Sequence, residues 1–227
     1  MVQYLIYLAI LMLIPLWAQM HVKSTYAHYS QIENSTGMTG SQTARRILDE
    51  NGLYDVAVRE VEGALTDHYD PREKTVNLST AIYHGESIAG TAVAAHEVGH
   101  AIQDATDYTF MRVRSALVPV ANLGSNLSYL LIIAGFIFGA MQLAMIGVLF
   151  FAAAVLFQLV TLPVEFDASS RALKQIVALG IVRDDERPAA RKVLSAAAMT
   201  YVAAALVAVM ELVRFVLMIV FANNREE

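Results

Sequence analysis

The chain has 227 residues, 56% of them hydrophobic and 16% charged, with a formal net charge of −5 and no cysteine. A soluble domain carries roughly 25% charged residues, so the composition speaks against an ordinary soluble protein, and an acidic chain without basic clusters and interleaved aromatics is not built for nucleic acid. Without cysteine there is no disulfide framework and no thiolate metal site, which agrees with a reducing compartment.

The missing charge is concentrated in blocks. Residues 1–20 are the first nearly uncharged stretch, long enough at about 1.5 Å per residue to cross a bilayer core. The stretch lacks a basic leading region, and Trp17-Ala18-Gln19-Met20 makes a poor cleavage site, so a retained anchor is expected rather than a signal peptide. A polar domain follows over residues 21–118. In it 41–51 reads as a helix, capped by Thr39 or Ser41 and ended by Gly52. Val56, Val58 and Val61 alternate as in a strand. Residues 64–69 and 75–78 flank the turn signal Asp70-Pro71-Arg72-Glu73-Lys74, which predicts a hairpin. On its first strand His68 and Asp70 share one face, Asp67 and Tyr69 the other. His68 could steady an oxyanion or ligate a metal, while Asp70 equally suits the turn before Pro71.

The next element carries the chemistry. His96-Glu97-Val98-Gly99-His100 lies inside a predicted helix over 88–105, with Ser87 as its N-cap. Two imidazoles four residues apart sit about 40° apart around a helix axis, so both can face one metal ion. Glu97 then points at bound water without being a ligand, the arrangement by which a zinc peptidase makes a nucleophile. Small and apolar residues flank the motif, so the helix can pack in a core with one polar stripe turned to the metal. Gly99 reads as a close-packing position beside the metal or as a tolerated helix glycine. A small sheet leading into such a helix is the plan of a zincin-like α+β domain.

Residues 119–163 are long enough for two crossings, about 120–140 and 143–163, with a turn near Ala140. A polar segment, 164–196, leads to a last crossing over 197–221. The first crossing falls at about 2–20, giving a mainly α, four-helix integral membrane protein with a small metallopeptidase domain. Glu211 and Arg214, three apart in the last crossing, are expensive there unless paired with one another. Lysine and arginine crowd the two polar segments, whereas the turn near 141 has none and the chain ends contribute only Arg225. Both polar segments are therefore expected on the cytoplasmic side of the plasma membrane.

A catalytic zinc takes three protein ligands and keeps one position open. The candidates for the third are His21, His28, His68, His84, Asp67, Asp70, Asp104, Asp107, Glu165 and Asp167. Gln103 and the absence of a later histidine at the required spacing rule out a metzincin continuation. Glu165 fits best: two crossings separate it from His100, and an even count returns it to the same face. An interfacial carboxylate at an exposed helix start is the bland reading of the same residue. Asp104, one turn beyond His100, suits the orientation of a ligand, or solvent.

These residues carry a resemblance to a known family. The chain resembles the YugP-like bacterial membrane zinc metallopeptidases through Leu65-Thr66-Asp67-His68-Tyr69-Asp70-Pro71, Ala94-Ala95-His96-Glu97-Val98-Gly99-His100-Ala101-Ile102-Gln103 and Thr161-Leu162-Pro163-Val164-Glu165-Phe166-Asp167-Ala168-Ser169. More widely it is similar to the gluzincin membrane peptidases. The resemblance implies Zn2+ held by His96, His100 and Glu165. Gluzincins place an aspartate four residues after that glutamate. Ser169 stands there in this chain, so Asp104 or Asp167 is expected to supply the supporting carboxylate. The function expected is peptide-bond hydrolysis at the membrane, on protein or peptide substrates, in membrane protein quality control. A membrane adaptor with a structural zinc is the competing reading, and a metal closed by four protein ligands would identify it.

Overall fold

The computed structural model describes residues 2–223; Met1 and Arg225, which entered the span and charge counts above, lie outside them. Seven helices and three strands follow in the order α1 (Val2–Tyr29), α2 (Gly40–Glu50), β1 (Ala57–Val61), β2 (His68–Asp70), β3 (Thr75–Ser79), α3 (Thr80–His84), α4 (Ile88–Ala105), α5 (Thr109–Ile137), α6 (Met141–Ala178) and α7 (Arg187–Asn223). The chain divides into two units. One takes in the chain up to Pro15, Arg112–Pro163 and the chain from Tyr201 onward; the other is Leu16–Met111 with Val164–Thr200.

The first unit is the apolar one. Helices α1, α5, α6 and α7 each have the length and hydropathy to cross a membrane, and the protein is a mostly helical, four-span membrane protein. Leu130, Ile133, Leu149 and Phe221 stand more than half exposed, a display that water would penalise and lipid accepts. Between α5 and α6 small residues set the spacing: a Cβ added to Gly147 would lie 2.8 Å from the backbone nitrogen of Ile132. Such contacts bring membrane helices close enough for backbone packing. The turn between them uses Gly139 at φ +65°, a left-handed conformation that glycine takes at little cost. Tyr129, Phe151 and Phe215 pack edge to face with centroids 5.4–5.6 Å apart. As expected, Arg214 pairs with Glu211 at 2.6 Å. Tyr7 was not foreseen there: its hydroxyl donates to the other Glu211 oxygen at 2.7 Å.

The second unit holds the sheet and α4. Helix α2 begins with a capping box: the Gln42 amide N–H donates to Thr39 Oγ1 and the Thr39 N–H to Gln42 Oε1. Gly52, at φ +72°, follows its end. The hairpin forms as predicted, β2 pairing antiparallel to β3 with His68 opposite Asn77. Strand β1 pairs with the other edge of β3, in parallel, so the order is β1-β3-β2. The short α3 between β3 and α4 is five residues long and has no side-chain cap, so it leaves no helix signature in the sequence. Ser87 caps α4, accepting from Gly90 N–H at 3.0 Å, and the helix spans the predicted 88–105. Ile47 and Leu48 of α2, Val76 and Leu78 of β3, and Val98 of α4 form the buried core with Ile176 and Ile181.

Helices α6 and α7 extend well beyond their apolar stretches. Pro163 removes one backbone donor from α6 but does not end it; the residues that follow are held against the core through Ala172 and Ile176. Residues 164–168 are therefore helical, within α6.

Candidate metal centre

Helix α4 lies against the start of the polar part of α6. The contact is backbone-close at Gly99: a Cβ built there would sit 2.6 Å from the carbonyl oxygen of Ala168. Any side chain at 99 would push α6 away, so this glycine sets how near Glu165 comes to the two histidines. The close-packing reading of Gly99 holds, and its partner is now identified.

Three donor atoms converge across that contact. His96 Nε2 is 3.2 Å and His100 Nε2 3.7 Å from Glu165 Oε2. All three ligand atoms lie within 4.8 Å of one another. The two rings stand at 81° with centroids 4.7 Å apart. Glu165 is 2% exposed, and His100 and Glu97 8% each. A buried carboxylate and two imidazole nitrogens pointing at one spot is a donor set suited to zinc.

The outward nitrogens are held as well. His100 Nδ1 donates to Gln103 Oε1 at 3.0 Å, and His96 Nδ1 faces Ser169 Oγ at 3.2 Å. A hydrogen on each Nδ1 leaves both Nε2 lone pairs free, the tautomer a metal ligand needs. Gln103, completely buried, is fixed in turn: its Nε2 donates to the Val164 carbonyl at 2.8 Å and to Asp167 Oδ2 at 2.9 Å. Arg171 donates to the same Asp167 oxygen at 2.5 Å. Asp167 thus supports the histidine through an amide, and Ser169 meets His96 directly with a hydroxyl. Asp104 accepts from the Tyr69 hydroxyl at 2.9 Å. Burial, then the bond to Asp104, hold that phenol above its ordinary pKa.

The charge balance also favours a cation. Burial by itself would lower the pKa of His100, but the hydrogen bond to Glu165 and the charges of Glu97 and Glu165 outweigh it and raise it. His68 sits on the edge strand β2, its Nδ1 on the Thr66 carbonyl at 2.8 Å and its Nε2 on the Asn77 amide at 3.3 Å.

Gln103 and Arg171 were not singled out as functional from the sequence. Gln103 had a usable signal, because a residue three beyond a metal-facing histidine lies on the same helix face. Replacing it with leucine keeps volume and removes all three bonds. Gln103→Leu is expected to weaken metal binding about 10- to 100-fold, measured by competition with a chromophoric chelator, while circular dichroism of the helices stays unchanged.

Comparison with known proteins follows the same line. The profile of the family described as "Putative neutral zinc metallopeptidase" matches residues 4–220. A protein of Bacillus subtilis (strain 168) named "Putative membrane protease YugP" is 53% identical over 211 residues, 93% of each chain. No solved structure matches significantly.

Proposed function

This chain belongs to the family described as "Putative neutral zinc metallopeptidase", and from that premise we propose that it is a membrane-embedded endopeptidase whose zinc ligands are His96, His100 and Glu165. The observation that supports this reading is the convergence of the two Nε2 atoms and Glu165 Oε2, with Glu97 adjacent on α4.

Zinc, when bound, supplies Lewis acidity for acidifying water and for offsetting negative charge on a carbonyl oxygen. Glu97 accepts a proton from the attacking water and delivers it to the departing amine, so one carboxylate serves as base and then as acid. Gln103 and Ser169 hold the imidazoles in register throughout. His68, on the edge strand β2, is assigned to the oxyanion. Asp104 is assigned to the support of the site through Tyr69, and Asp167 through Gln103.

The substrates proposed are membrane-associated proteins or peptides, cut on the cytoplasmic side of the plasma membrane in membrane protein quality control. Two things support this placement. Lysine and arginine crowd the polar segments, and Glu165 follows the apolar part of α6 almost at once. The test is metal removal. Dialysis of the detergent-purified protein against a strong chelator should abolish cleavage of an unfolded membrane-protein substrate, and one equivalent of Zn2+ per chain should restore it. Cleavage that persists in the metal-free protein would overturn the proposal. A zinc found with four protein ligands by X-ray absorption would favour the adaptor reading.

A further inference from the structure

A second polar feature lies outside the metal centre. The C-terminal end of α1 and the first turns of α7 enclose an open groove of about 560 Å³, lined by His21, Ser24, His28, Arg191, Lys192 and Ser195 among others. His21 and His28 are seven residues apart, so they share one face of α1. Arg191 and Lys192 are exposed and form no ion pair among the described residues.

The charge here runs against that of the whole chain. The net charge is −5, yet residues 1–32 contain no acidic residue, and neither do residues 187–210. Lys23, Arg187, Arg191 and Lys192 therefore share these two stretches with no acidic residue. Depth is the second observation. Helix α1 leaves its apolar stretch at Met20, one residue before His21, and α7 enters its own at Ala197, just after Ser195 and Ala196. Trp17 stacks on His21 with centroids 5.5 Å apart and planes within 4°, a position typical of tryptophan at the headgroup level. The groove thus offers two fixed cations, two imidazoles and hydroxyl donors where phosphates of a bilayer lie.

We propose that this groove between α1 and α7 is a binding site for the phosphodiester headgroup of an anionic phospholipid. Arg191 and Lys192 contact the phosphate, Ser195 donates a hydrogen bond to one of its oxygens, and the acyl chains lie in the bilayer. A basic pocket between membrane helices selects anionic lipid in this way, each cation contributing about a fivefold gain in affinity.

The test uses the full chain purified in neutral detergent, with bound lipid counted by native mass spectrometry after mixing with phosphatidylglycerol and phosphatidylcholine of matched chains. Wild type should retain phosphatidylglycerol selectively. The double substitution Arg191→Gln/Lys192→Gln should cut that selectivity about 25-fold. Ser195→Glu, which adds a carboxylate to the groove without touching the cations, should abolish it. Lys174→Gln, an exposed cation outside the groove, should keep it. Equal retention of the two lipids, unchanged selectivity in the double variant, or equal loss in Lys174→Gln would each overturn the proposal. So would displacement of the lipid by inorganic phosphate at the same concentration, which would identify a free-anion site instead.

Discussion

Glu97→Gln should lower peptide-bond hydrolysis by about two to four orders of magnitude while leaving the metal in place. Glutamine matches glutamate in shape, so α4 packs as before and the His96 and His100 nitrogens still face Glu165. An amide, however, cannot take a proton from water near neutral pH, and it has none to pass to a leaving amine. The measurement pairs turnover of a peptide substrate with zinc content by elemental analysis. Intact zinc with lost turnover is the expected outcome. Full turnover in the variant would remove Glu97 from the chemistry and with it the whole scheme. In membranes the same variant should let substrates of the enzyme accumulate, and the proteins that build up only there identify what it cuts.

The second large effect is expected at Glu165. Glu165→Ala leaves two imidazoles facing an emptied position in a buried site and removes one of its two buried negative charges. Loss of a direct ligand should exceed the 10- to 100-fold cost typical of losing a supporting residue, so metal affinity should fall by more than about 100-fold, with activity following it. Glu165→Asp separates the causes. It keeps the charge but shortens the reach from α6, and because Gly99 already places that helix at backbone contact, α6 cannot move in to compensate. Partial zinc binding with little activity is expected there. Zinc affinity unchanged in Glu165→Ala, read by chelator competition, would show that another residue is the third ligand.

The contrast with Gln103→Leu is informative. That substitution leaves all three donors and removes only the group that orients one of them. A loss as large as that of Glu165→Ala would mean that the Asp167–Gln103–His100 chain, rather than the ligand count, governs the site.

Much of this was legible along the chain, because the signals were local. Helix α4 announced itself through Ser87 and the His96–His100 spacing, α2 through Thr39 and Gln42, and the β2–β3 hairpin through the Asp70-Pro71 turn. Four apolar stretches gave four spanning helices, since length and hydropathy need no knowledge of neighbours. Glu165 was selected by counting crossings, a topological argument that uses the need of helices to traverse the bilayer completely, and its Oε2 lies 3.2 Å from His96 Nε2. The pairing of Glu211 with Arg214 also followed from spacing on one helix.

Other features depended on contacts between segments far apart in the chain. The parallel pairing of β1 with β3 has no local signature, because its hydrogen bonds join residues 18 apart across an intervening strand. The sequence left a choice between Asp104 and Asp167 as the support for the ligands. The structure brings Asp167 to the site through Gln103, sets Ser169 against His96, and places Asp104 on Tyr69. Which polar side chain meets which histidine depends on the rotation of α6 against α4. That rotation is decided by the Gly99–Ala168 contact, where absence of a side chain lets two backbones touch. The sequence by itself therefore determined that the chain spans a membrane and carries a two-histidine metal motif. Only the tertiary structure decided what orients His96 and His100, because helix rotation is a property of packing between elements and leaves no mark on either helix alone.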